Sequence, residues 1–352
     1  MIVLSTHACR DASRDAAPLE PIREAGIPTL RELAVRPLTL AGPASAAERE
    51  FSGLDWYKDE LVLLPQYPAL GGGVGELYAL SRADILARVD GELDAPLSPR
   101  VVEMATDEVR ARVSGFQGFE AIAFAGDQVY LTIETGWDAR GYLVVGRARE
   151  QGGSLAAIEL DAASLTELPT PARIFNSGFE ALTVVPGGAL ALYERNAPPR
   201  TPEPRALRVM ATGQAEAPVT APVATPMAAI EYRVTDASSL DAAGRFWVIN
   251  YRFPASEDGV SPIIDALARA RGRGPTHAGS TVVERLLELR YDPDAGVTLT
   301  DAAPIVLELA GASRNWEGLA RLDGRGFLLV TDKFPGTELG YVPVDMSKPG
   351  AR

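Results

Sequence analysis

Short apolar runs broken by glycine- and aspartate-rich turns recur five times along the chain: FSGLDWYKDELVLLPQ from Phe51, FEAIAFAGDQVYLTIE from Phe119, FEALTVVPGGALALYE from Phe179, TDASSLDAAGRFWVIN from Thr235 and WEGLARLDGRGFLLVTD from Trp316. Each opens on an aromatic residue or a threonine, continues with a polar residue and enters a short apolar stretch. A turn follows, Ala125-Gly126-Asp127 in the second unit and Pro186-Gly187-Gly188 in the third. The turn feeds a second stretch rich in Val, Leu, Tyr and Phe. β-formers bounded by residues that tolerate positive φ predict a β-hairpin in every unit.

Between the hairpins the pattern predicts further strands at 76–80, 142–147, 155–160, 206–210, 230–234 and 283–291. Each unit then holds three or four antiparallel strands and cannot bury both faces alone, so neighbours must stack. The expected fold is all-β: a β-propeller of five blades, with short protected edges. The 81-residue interval from Asp236 to Glu317 has room for a sixth blade. Residues 30–37 read as a lone strand before the first hairpin, and 339–344 are the only strand material after the last. The N-terminal strand is therefore expected to close the ring on the C-terminal blade. One propeller domain spans 29–345, between a flexible tail at 1–28 and a short C-terminal tail at 346–352. Short helices are expected at 81–89, capped by Ser81, and at 263–270, and the proline-rich stretch 197–226 reads as an extended connection.

The 352 residues are 46% hydrophobic and 23% charged, enough to bury a large core. Lys+Arg 34 against Asp+Glu 47 gives a net charge of −13, which argues against nucleic acid or an anionic membrane surface as partner. One cysteine and two histidines exclude an internal disulfide, an iron–sulfur centre and a structural zinc site. Lysine occurs only as Lys58, Lys333 and Lys348, so chemistry falls to carboxylates, amides and arginines. No apolar run is long enough for a transmembrane segment. Thr6-His7-Ala8-Cys9 resembles a lipoprotein processing site, which would make Cys9 a lipid anchor; the alternative is a plain tail. A periplasmic or exported location is the expectation, and the oligomeric state is left open.

The repeated polar positions are Ser52, Glu120, Glu180, Asp236 and Glu317 at the start of the hairpins, and Gln66, Glu134, Glu194, Asn250 and Asp332 at their ends. Counted from the turn, the two members of each pair should lie opposite each other across the open end of the hairpin, about 5 Å apart at Cβ. Stacking would bring all pairs to one rim around the axis. Acids gathered there repel one another and need a positive partner, either arginine or a bound cation. Calcium fits best, since it takes about six to eight hard oxygen ligands; magnesium is the less suitable choice. Glu120, Glu180, Asp236, Glu317 and Asp332 are the candidate metal ligands. Glu134, Glu194, Arg195 and Arg252 are the candidate catalytic residues, with Lys333 as a further anion holder. The plainer alternative is that the acids cap backbone N–H groups. No G-x-S-x-G elbow is present, and Gly71–Gly75 lacks the Lys-Ser/Thr of a phosphate loop.

Gly118-Phe119-Glu120-Ala121, Phe179-Glu180-Ala181-Leu182, the Thr235-Asp236 hairpin ending in FWVINY, and Asn315-Trp316-Glu317-Gly318 leading to LLVTDKFPGTE make the chain similar to the phytase-like family. These are bacterial β-propeller proteins described as having esterase-like activity. The resemblance runs from about residue 50 to 345. It implies an acidic funnel and hydrolysis of a phosphoric or carboxylic ester. Ser52 and Gln66 depart from the acids of the other units, and no lysine-rich pocket for a highly phosphorylated inositol is present. Two functions follow: a calcium-assisted hydrolase acting on a small-molecule ester in the central funnel, or a non-catalytic propeller that binds a small ligand or protein.

Overall fold

The computed structural model describes residues 26–70, 72–136, 139–212, 219–253, 264–311, 313–322 and 324–344. Cys9, most of the N-terminal tail and the C-terminal tail lie outside the described residues. Among the described residues, no helix is long and apolar enough to cross a membrane.

The chain enters through β1 (Glu32–Leu33) and β2 (Arg36–Leu38), then forms β3 (Phe51–Tyr57), β4 (Glu60–Pro65), β5 (Gly75–Ser81), the helix α1 (Arg82–Asp90) and β6 (Arg100–Met104). After the short helix α2 (Asp107–Arg112) come β7 (Phe116–Ala125), β8 (Gln128–Thr135), β9 (Gly141–Gln151) and β10 (Ser154–Leu168). Next are β11 (Ala181–Val185), β12 (Gly188–Leu192), β13 (Arg205–Met210) and β14 (Val223–Pro226). β15 (Arg233–Ala237) and β16 (Arg245–Arg252) lead through α3 (Ala266–Arg271) to β17 (Val283–Asp292), β18 (Gly296–Leu299) and β19 (Ile305–Leu307). The chain finishes with β20 (Trp316–Leu322), β21 (Gly326–Thr331) and β22 (Leu339–Pro343).

Every predicted hairpin forms: β3–β4, β7–β8, β11–β12, β15–β16 and β20–β21 pair antiparallel. Their first strands pack in a closed cycle, β3 on β7, β7 on β11, β11 on β15, β15 on β20, and β20 back on β3. The fold is all-β and propeller-like. A parallel pairing of β6 with β10 joins the first two sets of strands into one eight-stranded sheet.

The strand expected at 30–37 is divided between two sheets: β1 runs parallel to β19, and β2 pairs antiparallel with β22. The N-terminal chain therefore ties neighbouring sheets together. The strand expected at 230–234 starts only at Arg233, and the proline-rich stretch contains β13 and β14. α1 forms where expected, with the Asp84 N–H donating to the Ser81 hydroxyl at 3.3 Å.

The core lies between neighbouring sheets. Leu54 and Leu63 pack with Leu328 and Val330 of the last hairpin, Leu190 and Leu192 pack with Val248 and Leu287, and Trp247 meets Phe327 edge-on at 5.3 Å. Inner strands of neighbouring hairpins share no ladder, so side chains bridge them. The Ser52 hydroxyl donates to the Phe119 carbonyl at 2.6 Å, the Asp55 carboxylate accepts the Phe124 N–H at 2.7 Å, and the Thr235 hydroxyl donates to the Trp316 carbonyl at 2.6 Å. β3 and β20 approach closely enough that a Cβ on Gly318 would sit 2.7 Å from the Leu54 side chain and 3.2 Å from the Gly53 backbone.

Candidate functional site

Four of the five repeated polar residues at the hairpin starts, Ser52, Glu120, Asp236 and Glu317, fall at bulges of the inner strands, and Glu180 stands just before an unbulged one. In β3 the register passes from Phe51↔Pro65 to Gly53↔Leu64, leaving Ser52 without a ladder partner. Glu120 is skipped in the same way between Phe119↔Ile133 and Ala121↔Thr132, and Glu317 between Trp316↔Thr331 and Gly318↔Val330. In β15 the step from Val234↔Asn250 to Ala237↔Val248 takes up Thr235 and Asp236. A bulge adds one residue on one strand and re-aims its side chain. It also shifts the register beyond it by one residue, and with the turn centred between Gly126 and Asp127 the expected Glu120–Glu134 pair gives way to Gly118↔Glu134. Gly118 has φ +155°, and a Cβ there would lie 2.3 Å from Gln66 Cγ. The bare backbone lets Gln66 cross it and donate from Nε2 to Glu120 Oε1 at 3.0 Å.

Above these bulges lies a cavity of about 280 Å³. Glu120, Glu134, Glu180, Glu317 and Asp332 line it, as the sequence reading expected of the rim. Glu50 adds a further acid, and Arg233 and Lys333 supply positive charge. Gln66, Gln117 and Asn315 contribute amides, while Tyr67, Phe253 and Phe334 contribute aromatic surface. Glu194 does not line the cavity; it is fully buried and ion-paired with Arg233.

Arg233 was not anticipated. Its Nη2 donates to both Glu180 carboxylate oxygens at 3.2 Å and lies 3.4 Å from Glu317 Oε1. Nε pairs with Glu194, and Nη1 donates to the Tyr251 hydroxyl, which donates in turn to Asn315 Oδ1. The guanidinium also stacks over the Tyr251 ring at 4.8 Å. A planar fork with several donors suits such multiple pairing better than an ammonium does. The sequence signal was one register away: the position three residues before each repeated polar residue holds Arg49, Gln117, Ser177, Arg233 and Arg314.

One guanidinium does not balance this many acids, and burial raises Glu120, Glu134, Glu180, Glu317 and Asp332. Desolvation, reinforced by Glu180, pushes the Glu120 carboxyl up to about 8. Desolvation with Glu120 and Glu180 nearby pushes Glu134 up to about 9. Burial also raises Glu180 and Glu317, with Arg233 acting in the opposite direction on both. Asp332 is raised by burial and drawn back by the Phe334 N–H, which donates to Oδ1 at 2.8 Å, and by Asn315, Lys333 and Arg233. At pH 7 burial thus holds Glu120 and Glu134 neutral, while Arg233 favours the ionised form of Glu180 and Glu317 and the Phe334 N–H favours that of Asp332.

Among the described residues, no three acidic, histidine or cysteine side chains are gathered so as to share one metal ion. The space between Glu180, Glu194 and Glu317 is filled by the Arg233 guanidinium.

Asp236, Arg195 and Arg252 are not brought to the cavity lining. Asp236 is fully buried and accepts three backbone N–H groups: Leu319 at 2.6 Å and Leu54 at 3.2 Å on Oδ2, and Ala237 at 2.8 Å on Oδ1. One carboxyl thus joins β15, β20 and β3 at the centre of the ring. Asp236→Ala leaves those donors unpaired, and an expected loss of about 2–3 kcal/mol in unfolding free energy is read from the urea midpoint. A loss below about 0.5 kcal/mol, the usual effect of a surface change, would show that the carboxyl does not hold the strands. Arg195 Nε donates to the Ser177 hydroxyl at 2.9 Å. Arg252 donates to the Thr281 carbonyl at 2.5 Å and lies 5.7 Å over the Tyr232 ring.

A protein-family model described as phytase-like, esterase-like activity of phytase, matches residues 120–333. No curated protein matches the chain. Among solved structures, it is similar to a GH43_1 enzyme from Xanthomonas citri complexed with xylose, at 11% identity and TM-score 0.44, covering 88% of this chain and 90% of that one. It is similar to an alpha-L-arabinofuranosidase from Lactobacillus brevis at 11% identity and TM-score 0.42, covering 86% and 92%. It is also similar to the soluble aldose sugar dehydrogenase from Escherichia coli in the apo-form, at 12% identity and TM-score 0.41, covering 88% and 99%.

Proposed function

The chain belongs to the phytase-like family, and from that membership and the chemistry of the cavity we propose that it is a five-bladed propeller, closed by β2, that hydrolyses carboxylic esters in its axial cavity. The observation that carries this reading is the unequal environment of carboxyls in one small space. Glu120 is held neutral by burial up to about 8, while Asp332 keeps a backbone N–H on its carboxylate. Burial raises both, but Glu180 adds to the rise of Glu120 whereas the Phe334 N–H and Lys333 draw Asp332 back, a difference that divides acid and base roles.

In the proposed reaction Asp332 takes a proton from water as the water oxygen bonds to the acyl carbon. The neutral Glu120 carboxyl donates a hydrogen bond to the developing oxyanion, an interaction worth more in a water-poor site than in bulk solvent. The acyl carbon–alkoxy oxygen bond then breaks, and Asp332 returns its proton to the leaving alkoxide. The products are a carboxylic acid and an alcohol, so one water is consumed and no proton is left over. Arg233 fixes Glu180 and Glu317 at the floor and leaves the cavity without a polycationic surface for a phosphate ester.

The test is hydrolysis of p-nitrophenyl butyrate by the full chain. Asp332→Asn and Glu120→Gln are each expected to lower kcat/KM by about 10²–10⁴-fold, and the wild-type rate should fall as pH rises through about 8, where Glu120 ionises. Binding of an ester without turnover would favour the non-catalytic propeller.

Because Arg233 supplies the resident positive charge, dialysis against EDTA is expected to leave the rate unchanged. A rate lost on dialysis and restored only by added calcium would overturn the metal-free scheme and return the acids to the role of ligands.

A further inference from the structure

Glu134 is 2% exposed, lines the cavity, and its Oε1 has no hydrogen-bond partner. Almost every buried polar atom in a folded protein finds a partner, so an unpartnered one facing a cavity marks a place for a ligand group. Tyr67, Phe253 and Phe334 line the same cavity and give it aromatic surface. Aromatic faces attract cations and offer nothing to anions.

From this juxtaposition we infer that the cavity selects esters whose non-reacting part carries a positively charged ammonium group, with Glu134 as its counter-charge and the aromatic residues around it. The inference rests on the ester-hydrolase reading and names its substrate class. A volume of about 280 Å³ suits a small ester of this kind.

The charge arithmetic points the same way. Six acids, Glu50, Glu120, Glu134, Glu180, Glu317 and Asp332, line the cavity against two cations, Arg233 and Lys333, so ionisation of these carboxyls makes its field negative. A phosphate group would enter against that field, whereas an ammonium enters with it. The groups that act on Glu134 are Glu120, Glu180 and Arg233, and Glu134 in turn acts on Tyr67 and Tyr193. Arg233, the cation in that set, is already paired with Glu180, Glu194 and Glu317. An incoming cation supplies the missing charge, and Glu134 gives up its proton. Cation binding near pH 7 should therefore release up to about one proton per chain.

The experiment compares acetylcholine with its neutral isostere 3,3-dimethylbutyl acetate as substrates, and titrates tetramethylammonium calorimetrically in two buffers of different ionisation enthalpy. The expected result is about a tenfold preference in kcat/KM for the cationic ester, with tetramethylammonium binding whose heat depends on the buffer. Glu134→Gln should abolish that buffer dependence, and Phe253→Leu should weaken tetramethylammonium binding with the proton release retained. Equal hydrolysis of both esters, with no tetramethylammonium binding, would overturn the inference and leave the hydrolase reading intact. Tetramethylammonium binding with no turnover of either ester would support the cation cavity and overturn the hydrolase. Calcium binding with proton release, in a protein that ignores tetramethylammonium, would also overturn the inference.

Discussion

Replacing Arg233 with methionine is expected to lower the unfolding free energy at pH 8 by about 3–5 kcal/mol, the cost of stranding the partners of a buried ion pair. Glu180, Glu194 and Glu317 all face this guanidinium, and each is less than a tenth exposed. Methionine fills similar volume, so the loss reports charge more than packing. Lysine retains the charge but lacks a fork that can meet Glu180, Glu194 and the Tyr251 hydroxyl together, so Arg233→Lys should fall between the wild type and methionine. The cost should also shrink at pH 5. Burial raises Glu180 and Glu317, so both take up protons more readily as pH falls, and a neutral carboxyl has less need of the cation. Urea midpoints at the two pH values measure the difference. A loss below about 1 kcal/mol at both, in the range of exposed salt bridges, would show that Arg233 is not the charge that holds the acidic ring.

The hairpins were legible because their signal is local: apolar stretches on either side of turns such as Gly187-Gly188 need no distant partner to be recognised. The repeated polar position was legible for the same reason. What spacing could not show was the bulge at Ser52, Glu120 and Glu317, because a bulge is a property of two strands and their register, not of one. Counting symmetrically about residue 127 placed Glu120 opposite Glu134, whereas the turn centres between Gly126 and Asp127 and the bulge adds a further step, so that Glu134 faces Gly118. The division of labour among the acids was hidden by a different effect. Asp236 and Glu317 occupy equivalent repeat positions, yet Asp236 bonds three backbone N–H groups of neighbouring strands and Glu317 faces Arg233. Those roles depend on which unit is the neighbour, and only the folded ring sets that. Arg195 and Arg252 followed the acids in sequence and looked like site residues, but the strands carry them to the Ser177 hydroxyl and the Thr281 carbonyl instead. Arg233, three residues ahead of Asp236, has the right chemistry, but the same position holds Gln117 and Ser177 in other units, so no charge common to all units marks it in the sequence.

Stability is expected to fall steadily as pH rises from 5 to 9.5, the reverse of ordinary acid denaturation. Glu120 and Glu134 have native values near 8 and 9 against 4.5 when unperturbed, so between those limits the native state binds protons that the unfolded chain has released. A group raised on folding contributes its full stabilisation below the unfolded value and loses it as pH rises through the native one. Asp55, pushed up to about 6 by desolvation, starts the decline earlier. At about 1.4 kcal/mol for each pH unit separating the two values, the two glutamates together account for several kcal/mol. They act on each other, so the steps belong to the pair and not to either residue alone. Glu134→Gln supplies a neutral side chain of the same shape. It should match the wild type at pH 5, exceed it at pH 9, and flatten the slope between, while Glu120→Gln with Glu134→Gln should remove most of the slope above pH 6. Thermal midpoints across this range decide the matter. A wild-type curve that is level or rises between pH 6 and 9 would mean that these carboxyls are ionised in the native state, and that some cation other than Arg233 already stands among them.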